Sequence, residues 1–227
     1  KRKLGNTGID ISEVGLGCWA IGGNKFGNSY GSTDDATSLA TIQKALDLGC
    51  TFFDTADVYG HGHSEILLGK ALKGRSDVAI ATKVGGDFYG EVPQLNFSEK
   101  YIRFACDESL KRLQRDTIDL YQLHNPSLLM IQRGDIFEPL EWLKKEGKIR
   151  HYGISIHDPL EGLAAMDNGK PAAIQVVYNI FRREAEEQLF PEAQKRGVAV
   201  IAREPLHNGF LAGKHSADAS FERGDIR

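Results

Sequence analysis

Val78-Ala79-Ile80-Ala81-Thr82-Lys83 is a short, almost wholly apolar run that ends on a charge, and the same form recurs along the chain. Thr51-Phe52-Phe53 leads into Asp54, with Tyr59 just beyond it, and Ile118-Asp119-Leu120-Tyr121-Gln122-Leu123 ends on His124. In a parallel sheet whose strands are each followed by a helix, the carboxyl ends all open onto one face. Asp54, Tyr59, Lys83 and His124 therefore converge at one mouth although they are far apart in sequence.

Working outward, strand-like runs are expected at Val14–Cys18, Thr51–Thr55, Val78–Lys83, Ile118–His124, His151–Ser155, Ala173–Tyr178 and Val198–Glu204. They start roughly 22–40 residues apart, the spacing of βα units rather than of a meander. Between them lie helical patterns. Thr33 is expected to cap a helix with Ala36, Leu39, Ile42, Ala45 and Leu46 on one face, ended by Gly49. Ser98 opens another, with Ile102, Ala105, Ser109, Leu110 and Leu113 inward, and Gly147 and Gly197 close helices over Asp135–Glu146 and Ala185–Arg196. Before all of these, Lys1 to Gly17 reads as a hairpin around the turn Gly5-Asn6-Thr7-Gly8.

The strands are short and near-uniformly apolar, and no Gly-x-Gly-x-x-Gly follows the first of them. The α/β class is thus read as a (β/α)8 TIM barrel with an N-terminal β-hairpin, residues 1–227 forming a single domain. Only seven strands are visible in the pattern, so the last βα unit or units are expected to be missing, with a continuation of roughly 80–100 residues past Arg227.

Composition narrows the partners. A net charge of −3, from 28 basic and 31 acidic residues spread along the chain, offers no basic stripe for nucleic acid and no polybasic membrane patch. No run of about 18 apolar residues could span a bilayer. Cys18, Cys50 and Cys106 are odd in number and widely spaced, which fits a reducing, cytoplasmic setting better than a disulfide framework. A small-molecule partner is expected, with the oligomeric state open. His61-Gly62-His63 lacks further ligands at a useful spacing, so no metal site is expected.

The motifs Gly15-Leu16-Gly17-Cys18-Trp19, Phe53-Asp54-Thr55-Ala56-Asp57-Val58-Tyr59-Gly60, Ala81-Thr82-Lys83, Asp119-Leu120-Tyr121-Gln122-Leu123-His124, Gly153-Ile154-Ser155, Gln175-Val176-Val177-Tyr178-Asn179 and Gly209-Phe210-Leu211-Ala212-Gly213-Lys214 run in a recognisable order. Each is weak alone. As an ordered set they resemble the aldo-keto reductases, most closely the bacterial branch related to potassium-channel β-subunits. The resemblance implies NAD(P)H-dependent reduction of aldehyde or ketone carbonyls, with Asp54, Tyr59, Lys83 and His124 as catalytic positions.

The chemistry explains those residue types. Hydride addition to a carbonyl leaves an alkoxide that needs a proton, which Tyr59 would donate. A free phenol has a pKa of about 10, and a neighbouring Lys83 ammonium stabilises its phenolate. Asp54 would keep Lys83 charged, and His124 would polarise the carbonyl oxygen. Read without the ordered set, Asp54 and Lys83 are more simply a structural ion pair, with Tyr59 a half-buried loop aromatic.

For the cofactor, NADPH with NAD not excluded, the resemblance implies contacts from Cys18, Trp19, Asp54, Ser155, Gln175, Arg203, Pro205, Leu206, Gly209, Leu211, Gly213, Lys214 and Arg227. Ser155 and Gln175 match positions that bond the nicotinamide carboxamide, and the loop Pro205–Lys214 would wrap the pyrophosphate through backbone amides. Two departures stand out. Ile156 replaces an asparagine common in the family, and Arg203 replaces an aromatic residue that stacks on the nicotinamide, a role a guanidinium plane can take. Two further functions remain open: a cofactor-binding regulatory subunit like the channel β-subunits, and a Schiff-base aldolase using Lys83.

Overall fold

A computed structural model of the chain describes residues 1–26, 29–216, 218–221 and 225. The chain begins with β1 (Arg2–Lys3) and β2 (Asp10–Ile11), an antiparallel pair in the register Arg2↔Ile11. The expected turn joins them, with Gly5 at φ 52° and Gly8 at φ 79°. A Cβ on Gly5 would lie 2.7 Å from both Ala199 N and Gly197 O. Leu4 is buried with Phe52, Ala81, Leu120 and Ala173 in a small inner cluster, so the hairpin plugs the end of the sheet opposite the strand tips.

The repeating units follow in order. They are β3 (Leu16–Gly17), α1 (Asp35–Asp47), β4 (Phe52–Asp54), α2 (His63–Ala71), β5 (Ala79–Val84), β6 (Gly86–Asp87) with β7 (Gln94–Leu95), α3 (Glu99–Leu113), β8 (Ile118–His124), α4 (Leu128–Arg133), α5 (Glu138–Lys145), β9 (Ile149–Ser155), α6 (Pro159–Asn168), β10 (Ala173–Val177), α7 (Leu189–Arg196) and β11 (Ala199–Arg203). Seven strands form one parallel sheet in the order β3-β4-β5-β8-β9-β10-β11. Helices α1 to α7 pack outside them around a buried cluster that includes Ile42, Leu68, Ile102, Leu140, Ile154 and Leu189.

Some boundaries differ from expectation for local reasons. The cap of α1 is Asp34 rather than Thr33, its Oδ1 accepting from Thr37 N at 2.8 Å. Ser98 caps α3 as expected, and Ile102, Ala105, Ser109 and Leu113 are its buried face. The helices expected at Asp135–Glu146 and Ala185–Arg196 start late, as α5 and α7, each after a short 3-10 turn. Pro139 and Pro191 lie in their first turns, where a proline ring clashes with any helix continued back towards the amino terminus. The first barrel strand shrinks from Val14–Cys18 to Leu16–Gly17, leaving Val14 80% exposed. The small hairpin β6–β7 has no counterpart in the strand pattern of the sequence.

The sheet is curled into a barrel. Asp54 on β4 and Gln175 on β10 are four strands apart, about 19 Å along a flat sheet at ~4.8 Å per strand, yet their side chains meet at 2.8 Å. The sheet ends at β3 on one side and β11 on the other, and no eighth strand joins them among the described residues. The two loops flanking that opening touch through Tyr30 Oη, which donates to Asn208 Oδ1 at 2.8 Å.

The loop after β3 crosses the loop carrying Tyr59 backbone on backbone. A Cβ on Gly60, at φ +60°, would lie 2.1 Å from Gly22 O, and one on Gly22 would lie 2.7 Å from the Tyr59 carbonyl carbon. Gly60→Ala is expected to cost about 2 kcal/mol or more, since strain and collision add. Urea unfolding checks this, and an unchanged midpoint would mean that the two loops separate freely.

Candidate active site

The strand tips carry the expected residues to one place. The register sets Lys83 beside Gln122 and His124 beside Ser155, so inward-facing positions of β4, β5, β8, β9 and β10 share the mouth. Lys83 is fully buried. Its Nζ donates to Asp54 Oδ1 at 2.5 Å, Thr55 O at 2.7 Å and Tyr59 Oη at 3.3 Å, which accounts for all three ammonium protons. The ring of His124 meets that of Tyr59 edge-on, with centroids 5.8 Å apart.

Burial pulls on each of these groups, and their neighbours decide the outcome. For Lys83, burial disfavours the ammonium, but Asp54 and Tyr59 outweigh it and raise the pKa above its ordinary value. The Tyr59 phenol is pushed up, mainly by burial, against the opposing pull of Lys83. His124 falls well below the usual imidazole range through burial, reinforced by Lys83 and Arg203. The site therefore holds a charged lysine beside a neutral histidine.

Of the residues expected to contact the cofactor, Gln175 has a partner within the protein: its Nε2 donates to Asp54 Oδ2 at 2.8 Å. Ser155 Oγ donates to Asn125 Oδ1 at 2.9 Å, and Asn125 adopts the left-handed conformation at φ 57°. Arg203 is paired with Glu204, donates to Ile156 O at 3.3 Å, and lies 3.2 Å from His157 Nδ1. Its Nε is buried without a hydrogen-bond partner among the described residues. Cys18 reaches the site through its backbone, its N–H donating to Asp54 O at 2.8 Å, while burial pushes its thiol far up. Trp19 packs edge-on against Tyr30, with centroids 4.6 Å apart.

The loop Pro205–Lys214 follows β11. Gly209 and Gly213 have φ of 92° and 67°, and His207 and Asn208 are also left-handed. The N–H groups of His207, Gly209, Phe210, Leu211 and Ala212 bond to carbonyls within the loop and its approach. Amides expected to face a pyrophosphate are therefore partly engaged in turns, and Leu206, Leu211 and Lys214 are exposed. Arg227 lies outside the described residues. His61 stacks between Phe26 and Phe88, centroids at 4.0 and 4.7 Å, whereas His63 Nε2 lies 2.7 Å from Asp35 Oδ1. These two histidines serve different partners.

Gln122, Asn125 and Asp57 escaped the sequence reading. Gln122 is wholly buried, and its Nε2 donates to Asp54 Oδ2 at 3.2 Å. The strand alternation held a signal for it, since Gln122 and His124 share a face at the period of 2.

Comparison with known proteins fixes the context. The sequence pattern described as "Aldo/keto reductase family" matches residues 13–226. The chain belongs to the aldo/keto reductase family. It is an oxidoreductase of that family, whose members carry out NAD(P)H-dependent carbonyl reduction. Among its relatives, aldo-keto reductase YhdN of Bacillus subtilis is 38% identical over 231 residues, covering 99% of this chain and 67% of the relative. The holo form of aldo-keto reductase AKR11C1 from Bacillus halodurans superposes with a TM-score of 0.85 at 36% identity, over 96% of this chain and 70% of that one. An aldo-keto reductase from Klebsiella pneumoniae in complex with NADPH gives 0.72 at 29% identity, over 91% and 69%. Among the described residues, no helix of this aldo-keto reductase is long and apolar enough to cross a membrane.

Behind the mouth lies a second polar group. Glu65, fully buried, accepts from Thr82 Oγ1 at 2.5 Å and from Arg112 Nε at 2.6 Å. Asp57, also fully buried, has no side-chain donor on either oxygen among the described residues. Burial, then the charge of Glu65, push its carboxyl well above the usual range. The unfolded chain ionises Asp57 at about pH 3.9, so this stability contribution is full below that pH and is lost as pH rises through the folded value. Asp57→Asn, which cannot ionise, is expected to raise the urea midpoint near neutral pH, with the gain shrinking towards about pH 4. A variant no more stable than the parent at neutral pH would mean that the carboxylate has a partner that needs its charge.

Proposed function

We propose that this chain reduces aldehyde or ketone carbonyls of small molecules to alcohols, with Tyr59 as the proton donor. The observation that carries the reading is the Lys83 ammonium shared between Asp54, Thr55 O and Tyr59 Oη, with a neutral His124 beside the phenol. The residues present fit a nicotinamide cofactor. Ser155, Asn125 and Gln175 bring amide and hydroxyl groups to the tips of β8, β9 and β10, and Arg203 offers an unpaired buried donor at the tip of β11. Ser155 and Gln175 would hold the carboxamide and so fix which face of the ring meets the substrate. NADPH is the cofactor we favour, and the cytoplasm, in keeping with three free cysteines, the setting.

The bound cofactor supplies hydride to the carbonyl carbon. As the carbonyl π electrons move onto oxygen, Tyr59 Oη gives its proton to that oxygen, and Lys83 stabilises the phenolate left behind. Asp54 holds Lys83 in place and charged. Neutral His124 retains one N–H to donate to the same oxygen, where negative charge develops. The raised pKa of Lys83 argues against an aldolase, since an ammonium has no lone pair for Schiff-base formation. A purely regulatory, cofactor-binding subunit would bind NADPH without turnover.

Tyr59→Phe is expected to lower turnover of a simple aldehyde by about 10²–10⁴-fold while sparing NADPH binding measured by fluorescence. Turnover near that of the parent would remove Tyr59 from its role. Arg203→Ala is expected to weaken NADPH binding more than it slows the chemical step, because stacking acts in ground and transition states alike. Unchanged affinity would rule out the stacking role.

A further inference from the structure

Asp54 is bound on both oxygens. Oδ1 takes the Lys83 ammonium, and Oδ2 takes two side-chain amides, Gln175 at 2.8 Å and Gln122 at 3.2 Å. Gln122 is fully buried on β8, opposite Lys83 in the strand register, and its Oε1 has no hydrogen-bond partner among the described residues. A buried carbonyl without a donor is costly, and Gln122 cannot turn to relieve it. Inverting the amide would set Oε1 against the Asp54 carboxylate, which accepts and does not donate. An apolar side chain of the same size would fill the space without that cost. The bond to Asp54 is what the position provides.

We propose that Gln122 is a positioning residue that acts through Asp54 on the Lys83–Tyr59 proton donor. It is the fixed arm of a two-amide clamp whose other arm, Gln175, is shared with the cofactor. The second statement rests on the nicotinamide reading of the site; the first does not. Two N–H dipoles on Oδ2 fix the rotation of the carboxylate and offset part of its charge. That charge draws Lys83 towards Asp54 and makes it harder for Tyr59 to release its proton. When Gln175 turns its amide to a carboxamide, Gln122, enclosed in the barrel, keeps Asp54 in place.

Three variants test the clamp: Gln122→Met, Gln122→Glu and Gln175→Met. Gln122→Met is expected to match the parent in thermal stability and NADPH affinity and to lose roughly ten- to a hundred-fold in kcat, the effect of one hydrogen bond to a charged group. Gln175→Met loses both kcat and affinity. Gln122→Glu can donate to Asp54 only while its carboxyl is protonated. Its kcat relative to the parent should therefore recover at low pH and fall as pH rises, whereas that of Gln122→Met stays low throughout.

Parental kcat in Gln122→Met, or a Gln122→Glu profile as flat as that of Gln122→Met, overturns the positioning role. Equal loss of NADPH affinity in Gln122→Met and Gln175→Met overturns the division into fixed and shared arms. A 13C-labelled Tyr59 ring in the cofactor-free protein gives a readout independent of turnover, and its titration should move to higher pH in Gln122→Met. If the parent reduces no aldehyde while that titration moves, the clamp stands and the reductase reading fails. If it does not move, the clamp falls whatever the activity.

Discussion

The arrangement depends on one half-buried carboxylate whose two oxygens are both bound. A charge inside a barrel is tolerated only when its attraction to a partner and its remaining hydrogen bonds repay the loss of water. Asp54 meets that condition with donors from three strands: Lys83 from β5, Gln122 from β8 and Gln175 from β10. The same contacts link three strands across the mouth, so the geometry of the proton donor is set from several sides of the barrel at once.

Asp57 shows what happens without such partners. It stands three residues from Asp54 and is more deeply enclosed, but among the described residues no side chain donates to its oxygens, and its carboxyl is pushed towards the neutral acid. The contrast comes from environment alone. It extends to Lys83 and His124, where one burial acts on two cations with opposite results: the lysine has an anion in contact, and the histidine faces Lys83 and Arg203.

Arg203 sits where β11 ends, tied to Glu204, Ile156 O and His157 by its terminal nitrogens while Nε remains unpaired. Its guanidinium plane is thereby oriented by bonds from two strand ends. Asn125 plays a comparable part beside Ser155. Ile156 follows the serine, and the asparagine in contact with that serine comes instead from just past the end of the neighbouring strand, where His124 pairs with Ser155.

The sequence by itself determined the βα order, the seven short strands, the amino-terminal hairpin and the four polar residues at the strand tips. Each of these is set by local periodicity or by its place along a strand. Ser98 was legible as a cap because capping acts within one turn, whereas the late starts of α5 and α7 turned on single prolines inside otherwise periodic runs. Only the tertiary structure decided what lies across the barrel from what. Gln175 and Gln122 on Asp54 and Asn125 on Ser155 follow from how far the sheet curls and how its strands are staggered. Those quantities are set by packing among all the strands together, and no local stretch of sequence contains them.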